Sequence, residues 1–489
     1  MRAVIARGVV GSVLVLLGGF VVATLPYSSS LLTHRFLADL RLSDLGRVVA
    51  LTVILVGLGL VCHAWLTLCR GVADGLIDLR HVRLAGGLWA APLVLAPPLF
   101  SSDGWSYAAQ GVLAEHGFSP YEYGPYVLTG PIEQAVDPLW RYTPTPYGPL
   151  PLWWGEGIAH LTSSPLALVI GHRLLALVGV ALLAWAMPRL AGWTGANPAI
   201  ATGLVVASPL VLTSGVAGLH NDVLMAGLMA SALALTERSW VAGAVVAGLA
   251  AAVKVPGGVV GIGVALASLP LAATMSERLR RLAGVALVAV VTLIGLGSIS
   301  GLGSGWIHAL GVPGGITTWM SPTTMIGDGF DRLSGALGLL VPDHAFRTFF
   351  RDLGWAAMVI IAVHGALRTP AGDRRRAVRT VALAAAAMAI LAPSVHLWYL
   401  LWPLPFVGAL RLGRVATTAF IVANALAGLF APMDTSWGGE TAAIVVGSVL
   451  ISTTLLVLVA SRRGRHQVGR IVTAAAAPST PAAPAAAQA

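Results

Sequence analysis

The run from Val48 to Cys69, VVALTVILVGLGLVCHAWLTLC, holds no Asp, Glu, Lys or Arg over 22 residues. As a helix rising about 1.5 Å per residue it reaches roughly 33 Å, enough to cross a hydrocarbon core about 30 Å thick. Similar runs recur along the 489-residue chain, which is 57% hydrophobic and only 10% charged. Soluble domains average about 25% charged and 45–50% apolar residues, so a soluble globular enzyme is excluded. With 57 Gly and 29 Pro the chain is not a coiled coil either. It reads as an all-α polytopic membrane protein.

Apolar windows predict helices near 4–26, 48–69, 83–100, 166–188, 197–215, 220–236, 239–254, 256–273, 282–303, 352–367, 378–393, 397–410, 415–431 and 441–460. That is about 14 transmembrane helices, within a range of about 12–15. The first window follows Arg2 and Arg7 but lacks a small-x-small cleavage site, so it reads as a retained helix rather than a signal peptide. The expected organisation is N-terminal transmembrane helices over 1–100, an extracytoplasmic loop of short interfacial helices over 101–165, and central helices over 166–303. A second extracytoplasmic loop at 304–351, C-terminal helices over 352–460 and a disordered cytoplasmic tail over 461–489 complete it. Cys62 and Cys69, seven residues apart in one apolar stretch, are too far apart to pair.

A formal charge of +10 first points to nucleic acid. In a membrane protein it must be divided between the two sides of the bilayer. With Arg2 and Arg7 inside, the loops at 70–82, 189–196, 237–238, 274–281, 368–377 and 411–414 and both termini face the cytoplasm. With their flanks they hold 21 of the 30 Lys+Arg and 5 of the 20 Asp+Glu, a net of +16. The remainder carries −6. This is the asymmetry of the positive-inside rule, and nucleic acid drops out as a partner. Arg35, Arg41 and Arg47 in the first outer loop run against it.

The outer segment 101–165 is too long and too patterned for a connector. Its Trp140, Tyr142, Tyr147, Trp153 and Trp154 form either an interfacial aromatic belt or a sugar-stacking surface. Asp103, in Ser101-Ser102-Asp103, is either a helix cap or a general base that takes a proton from an acceptor hydroxyl. Gly218-Leu219-His220-Asn221-Asp222 packs three consecutive polar side chains between apolar spans, more than capping requires. Lys254 is the only lysine; it snorkels to the interface or meets a phosphate. Arg173 lies several residues inside a span, where an unpaired guanidinium is costly, and is a further phosphate candidate. The loop at 304–351 carries Trp306, His308, Asp328 and Asp331 beside a Gly- and Pro-rich stretch at 311–315 expected to move near a substrate. Ser394-Val395-His396-Leu397-Trp398-Tyr399 marks another outer turn, and Asp434 and Glu440 flank the last one. Fixed from basic residues alone, the topology puts Asp103, Arg141, His220, Asp222, Lys254, His308 and His396 on one face.

The motifs SSDGWSYAAQG, GFSPYEYGP, DPLWRYTPTPYGPL, GLHND, AAVKVP and SVHLWYLLWP resemble the polyprenol-phosphomannose-dependent α-1,6-mannosyltransferases of actinobacterial lipomannan and lipoarabinomannan synthesis. The likeness covers roughly residues 85–450. It implies the GT-C membrane glycosyltransferase fold, a polyprenyl-phosphate-mannose donor, a mannan glycolipid acceptor outside the plasma membrane, and an inverting single displacement with Asp103 as base. Lys254, Arg173, Arg141 and His220 are the cations or donors available to the donor phosphate. Asn221, Asp222, Tyr107, Tyr147, His308, His396 and Trp398 are assigned to substrate contacts. Phosphate leaves already ionised, so no general acid, metal or other cofactor is expected. Many GT-C enzymes carry two adjacent acidic residues here, whereas Asp103 is followed by Gly104 and Trp105. Two rivals stand beside this reading: a GT-C enzyme using another polyprenyl-phosphate sugar such as arabinose, and a transporter or flippase for a lipid-linked sugar. The latter predicts a site at the bilayer midplane and leaves the 101–165 lobe unexplained.

Overall fold

The structure is a computed structural model that describes residues 1–101, 103–433 and 441–477. Among these no strand occurs. Sixteen helices of nine residues or more are α1 Arg2–Val22, α2 Asp44–Ala73, α3 Leu79–Ala90, α4 Asp103–Glu115, α5 Pro149–Ala159, α6 Pro165–Thr194, α7 Pro198–Val206, α8 Asp222–Leu235, α9 Trp240–Val253, α10 Met275–Ile299, α11 Pro322–Ala336, α12 Ala345–Arg368, α13 Arg374–Leu391, α14 Arg414–Phe430, α15 Thr441–Ala460 and α16 Arg462–Ala476. Every apolar window coincides with a helix or a broken pair of helices. Seven of the described helices (α1, α2, α6, α10, α12, α14 and α15) are long and apolar enough to cross a membrane, or eight if a bent pair counts as one span. The other windows hold shorter pieces. Pro and Gly interrupt them, as at Pro209, where α7 turns by 51° into the π-helical segment Val211–Ala217.

Close helix approach rests on residues without side chains. On α1 and α2 a Cβ added to Gly11 would lie 2.7 Å from the Gly57 carbonyl oxygen, and one on Gly57 would lie 2.6 Å from that of Gly11. In lipid, where apolar contact alone does not drive association, such backbone approach supplies the packing. The N-terminal arginines that oppose the charge rule have a local role: Arg41 donates to the carbonyls of Phe20 and Ala23 at 2.6 and 2.8 Å, capping the end of α1. Arg47 pairs with Asp44 at 2.5 Å.

The two ends of the bundle differ chemically. At one end Arg374 pairs with Glu237 at 3.1 Å and lies over Trp193, Arg83 reaches the Ala184 carbonyl, and Arg470 meets Asp74 at 2.8 Å. The expected tail departs from its prediction here. Residues 462–476 form α16, because Val468, Ile471, Val472 and Ala475 repeat at helical spacing and are buried against the bundle. At the other end lies the 101–165 lobe, short helices around their own core of Trp105, Tyr107, Leu113, Trp140, Tyr147 and Leu219. The Trp105 indole donates to the Thr24 carbonyl and so fastens α4 to the end of α1. The aromatics proposed as a belt divide: Trp140 and Tyr147 are buried, while Tyr142, Trp153 and Trp154 face outward.

Candidate active site

Four chain breaks meet at the lobe end: the start of α4, the start of α8, the end of α9, and the turn Leu397–Leu401. Two are entered through a left-handed residue that is not glycine, Phe100 at φ 59° and Leu219 at φ 62°. Each such backbone costs about 1–2 kcal/mol. The strained pair leads directly to Asp103 and to His220-Asn221-Asp222, where surrounding packing holds it.

Asp103 is buried at the first turn of α4. Its carboxylate is not spent on capping. Oδ2 accepts from the hydroxyls of Tyr107 at 3.0 Å and Tyr147 at 3.2 Å, which lie 2.7 Å from each other. Its own N–H donates to Ser101 Oγ at 2.9 Å. Among the described residues, Oδ1 has no hydrogen-bond partner. Burial, then the nearby Asp103 charge, raises both phenols well above the usual tyrosine range, so they stay protonated donors.

Asp222 opens α8 and is fully buried. Its Oδ1 receives Lys254 Nζ at 3.3 Å and the Trp402 indole N–H at 2.6 Å, and Oδ2 has no partner among the described residues. Lys254 caps the end of α9. Its ammonium sits 4.4 Å from the Tyr399 ring centroid and 5.3 Å from those of Tyr147 and Trp402, an arrangement that attracts a cation to aromatic faces. Tyr147 therefore touches both halves of the site, through its hydroxyl to Asp103 and its ring to Lys254. The chain is brought there by Gly148, whose N–H donates to the Val253 carbonyl at 2.9 Å. A Cβ on Gly148 would lie 2.3 Å from the Ala252 oxygen. Gly148→Ala is accordingly expected to push Tyr147 off both Asp103 and Lys254 and lower turnover at least tenfold, read in a membrane transfer assay alongside a thermal melt. Lys254→Met leaves Asp222 buried without its cation and should cost about 3–5 kcal/mol. The double variant Lys254→Met/Asp222→Asn should recover part of that loss in the same denaturation measurement.

His220 donates through Nδ1–H to the Ser214 carbonyl oxygen at 2.6 Å. It stacks on Trp398 at 3.8 Å between centroids, and His396 stacks on the same indole at 4.3 Å. Asn221 occupies the N-cap position of α8 yet makes no side-chain cap bond, so capping does not account for its amide.

The remaining candidates are placed elsewhere. Arg173 is corrected: its guanidinium is fully buried and all five N–H groups are taken by backbone carbonyls, those of Val94, Ala96, Pro97, Val216 and Ala217. No donor is left for a phosphate. Instead Arg173 ties the strand of chain leading to Asp103 to the one leading to His220. Arg141 pairs with Glu133 at 3.0 Å on the lobe and makes no contact with the Asp103 or Asp222 groups. His308 is exposed on the short helix Trp306–Ala309, which packs through Ala309 beside Tyr121 and Leu152. Asp331 accepts the N–H groups of Phe346 and Arg347, and Asp328 pairs with Arg347, so both build the α11–α12 corner. Gly311–Gly315 includes a short 3-10 turn whose Gly314 carbonyl accepts from Arg351. Asp434 and Glu440 lie outside the described residues. Sequence reading missed Tyr399 and Trp402 as site residues, although their spacing of three in SVHLWYLLWP was the available signal.

Residues 5–270 match the alpha-(1->6)-mannopyranosyltransferase N-terminal domain, and residues 323–461 match the MptB C-terminal domain. The chain belongs to the alpha-(1->6)-mannopyranosyltransferase family. It is 31% identical over 453 residues to a probable alpha-(1->6)-mannopyranosyltransferase of Mycolicibacterium smegmatis, covering 85% of this chain and 80% of that one. It is 33% identical over 427 residues to alpha-(1->6)-mannopyranosyltransferase A of Mycobacterium tuberculosis, covering 84% and 81%. No solved structure matches. This mannosyltransferase is thus a multi-span membrane glycosyltransferase, and the family matches span both halves of the Asp103–Asp222 site.

Proposed function

We propose that this mannosyltransferase moves mannose from a polyprenyl-phosphate donor to an α-1,6-mannan glycolipid acceptor at the outward face of the plasma membrane, with Asp103 as the base. The observation that carries the reading is the buried Asp103 carboxylate, steadied on Oδ2 by two protonated phenols and unengaged on Oδ1. An acceptor hydroxyl gives its proton to Oδ1 as its oxygen bonds to C1 of the sugar. The C1–oxygen bond to phosphate breaks on the opposite side, so the configuration at C1 inverts and the polyprenyl phosphate leaves with the bonding pair. Lys254 is the cation nearest the reacting groups, held in place by Asp222, and its charge offsets that of the phosphate. Asp222 Oδ2 is the acceptor for a sugar hydroxyl. Tyr147, Trp398 and Tyr399 supply ring faces for the sugar.

The outward assignment follows from the basic end, which is the expected cytoplasmic side, lying opposite the Asp103 end. Sealed right-side-out vesicles loaded with mannosyl-phosphopolyprenol should mannosylate a membrane-impermeant short α-mannoside without detergent. Transfer seen only in inverted vesicles would overturn the orientation. Lipid translocation without any transfer would favour the transporter.

A further inference from the structure

Where α16 crosses the basic end of the bundle, it lines with α14 and α15 an open cavity of about 880 Å³. Arg414, Arg465, His466 and Arg470 stand around it, and Leu456 and Val459 are among its apolar walls. The charges there are unbalanced. Arg470 is matched by Asp74 at 2.8 Å, but Arg414 meets only the Thr473 hydroxyl at 3.4 Å. The side chains of Arg465 and His466 have no partner among the described residues. The surfaces beside the cavity are apolar and outward-facing: Val415 is 86%, Val457 63% and Leu458 61% exposed. In a membrane protein such side chains meet lipid tails.

We propose that this cavity binds an anionic phospholipid of the adjoining leaflet. The phosphate would lie between Arg414 and Arg465, whose planar guanidinium groups match phosphate oxygens in pairs. The acyl chains would run down the apolar wall onto α14 and α15. A free phosphate ion would satisfy the arginines but leave that wall in water, so the lipid is the occupant. The site lies at the opposite end of the bundle from Asp103 and does not depend on the donor or the reaction assigned there.

The test is native mass spectrometry of the full chain released from detergent micelles and titrated with phosphatidylglycerol or phosphatidylcholine of the same acyl chains. Phosphatidylglycerol should bind preferentially. At roughly one basic contact's worth of attraction per arginine, Arg414→Gln/Arg465→Gln should weaken it by about thirtyfold and leave phosphatidylcholine unchanged. Arg414→Lys/Arg465→Lys, which keeps the charge, should retain most of the binding. Equal retention of the two lipids by the unmodified chain would overturn the proposal, as would undiminished phosphatidylglycerol binding by the glutamine pair. Complete displacement of the lipid by millimolar inorganic phosphate would also overturn it, in favour of a simple anion site.

Discussion

Asp103→Asn is expected to lower the turnover of mannosyl transfer by about 100- to 10,000-fold, the usual worth of a positioned general base. The amide keeps the shape of the carboxylate, and its oxygen still accepts from Tyr107 and Tyr147, so the lobe core and the thermal unfolding midpoint should change little. What disappears is the basic oxygen proposed to take the acceptor's proton. Donor saturation should stay near that of the unmodified enzyme, because the proposed phosphate contact is Lys254 and not Asp103. Full turnover in the folded variant would remove Asp103 from the reaction.

Arg173→Met carries the largest expected effect on stability. Five carbonyls lose their shared donor; those of Val216 and Ala217 still accept from the N–H groups of Leu219 and Leu99, while those of Val94, Ala96 and Pro97 lose the guanidinium that serves them, and each unsatisfied buried polar group costs about 1–3 kcal/mol. The summed loss is a large share of the stability of a typical domain, about 5–15 kcal/mol. Failure to accumulate, or a collapse of the melting temperature, is the expected result. Arg173→Lys offers at most three N–H donors on a shorter reach, so it should fold with a lower melting temperature and reduced turnover. A Met variant of normal stability with only weakened donor saturation would restore Arg173 as a phosphate ligand.

The reason Arg173 misleads in sequence is physical. An intramembrane arginine looks uncompensated until its partners are seen, and those partners are carbonyls exposed by the chain's own breaks. The Val94 carbonyl would normally receive the N–H four residues on, but that residue is Pro98 and has none. Val216 and Ala217 end the π-helical segment, where their carbonyls accept the N–H groups of Leu219 and Leu99 and keep a lone pair for the guanidinium. Nothing in residue spacing announces that one guanidinium will close both gaps. By contrast, the helices were legible because each apolar run must satisfy its backbone internally in lipid. Asp103, His220, Asp222, Lys254 and Trp398 were legible because polar groups between apolar spans stand out against their background. The pairing of Asp222 with Trp402, 180 residues away, was not, since only packing brings α8 to the turn at Leu397–Leu401. Residues 462–476 fall in the segment that reads as a disordered tail because its residues after Arg470 are rich in Ala and Pro; the buried positions 468, 471, 472 and 475 carry a helical period within it.

The proposed reaction is transfer of mannose from a lipid phosphate by a single displacement. The most direct measurement gives the purified chain in liposomes mannosyl- and arabinosyl-phosphopolyprenol side by side, with a short α-mannoside acceptor, and determines linkage and anomeric configuration of the product by NMR. The prediction is a 1,6-linked mannosyl product from the mannosyl donor, inverted at C1 relative to that donor, and no product from the arabinosyl one. Transfer from the arabinosyl donor alone, or a mannosyl product that retains the donor's configuration, would contradict it.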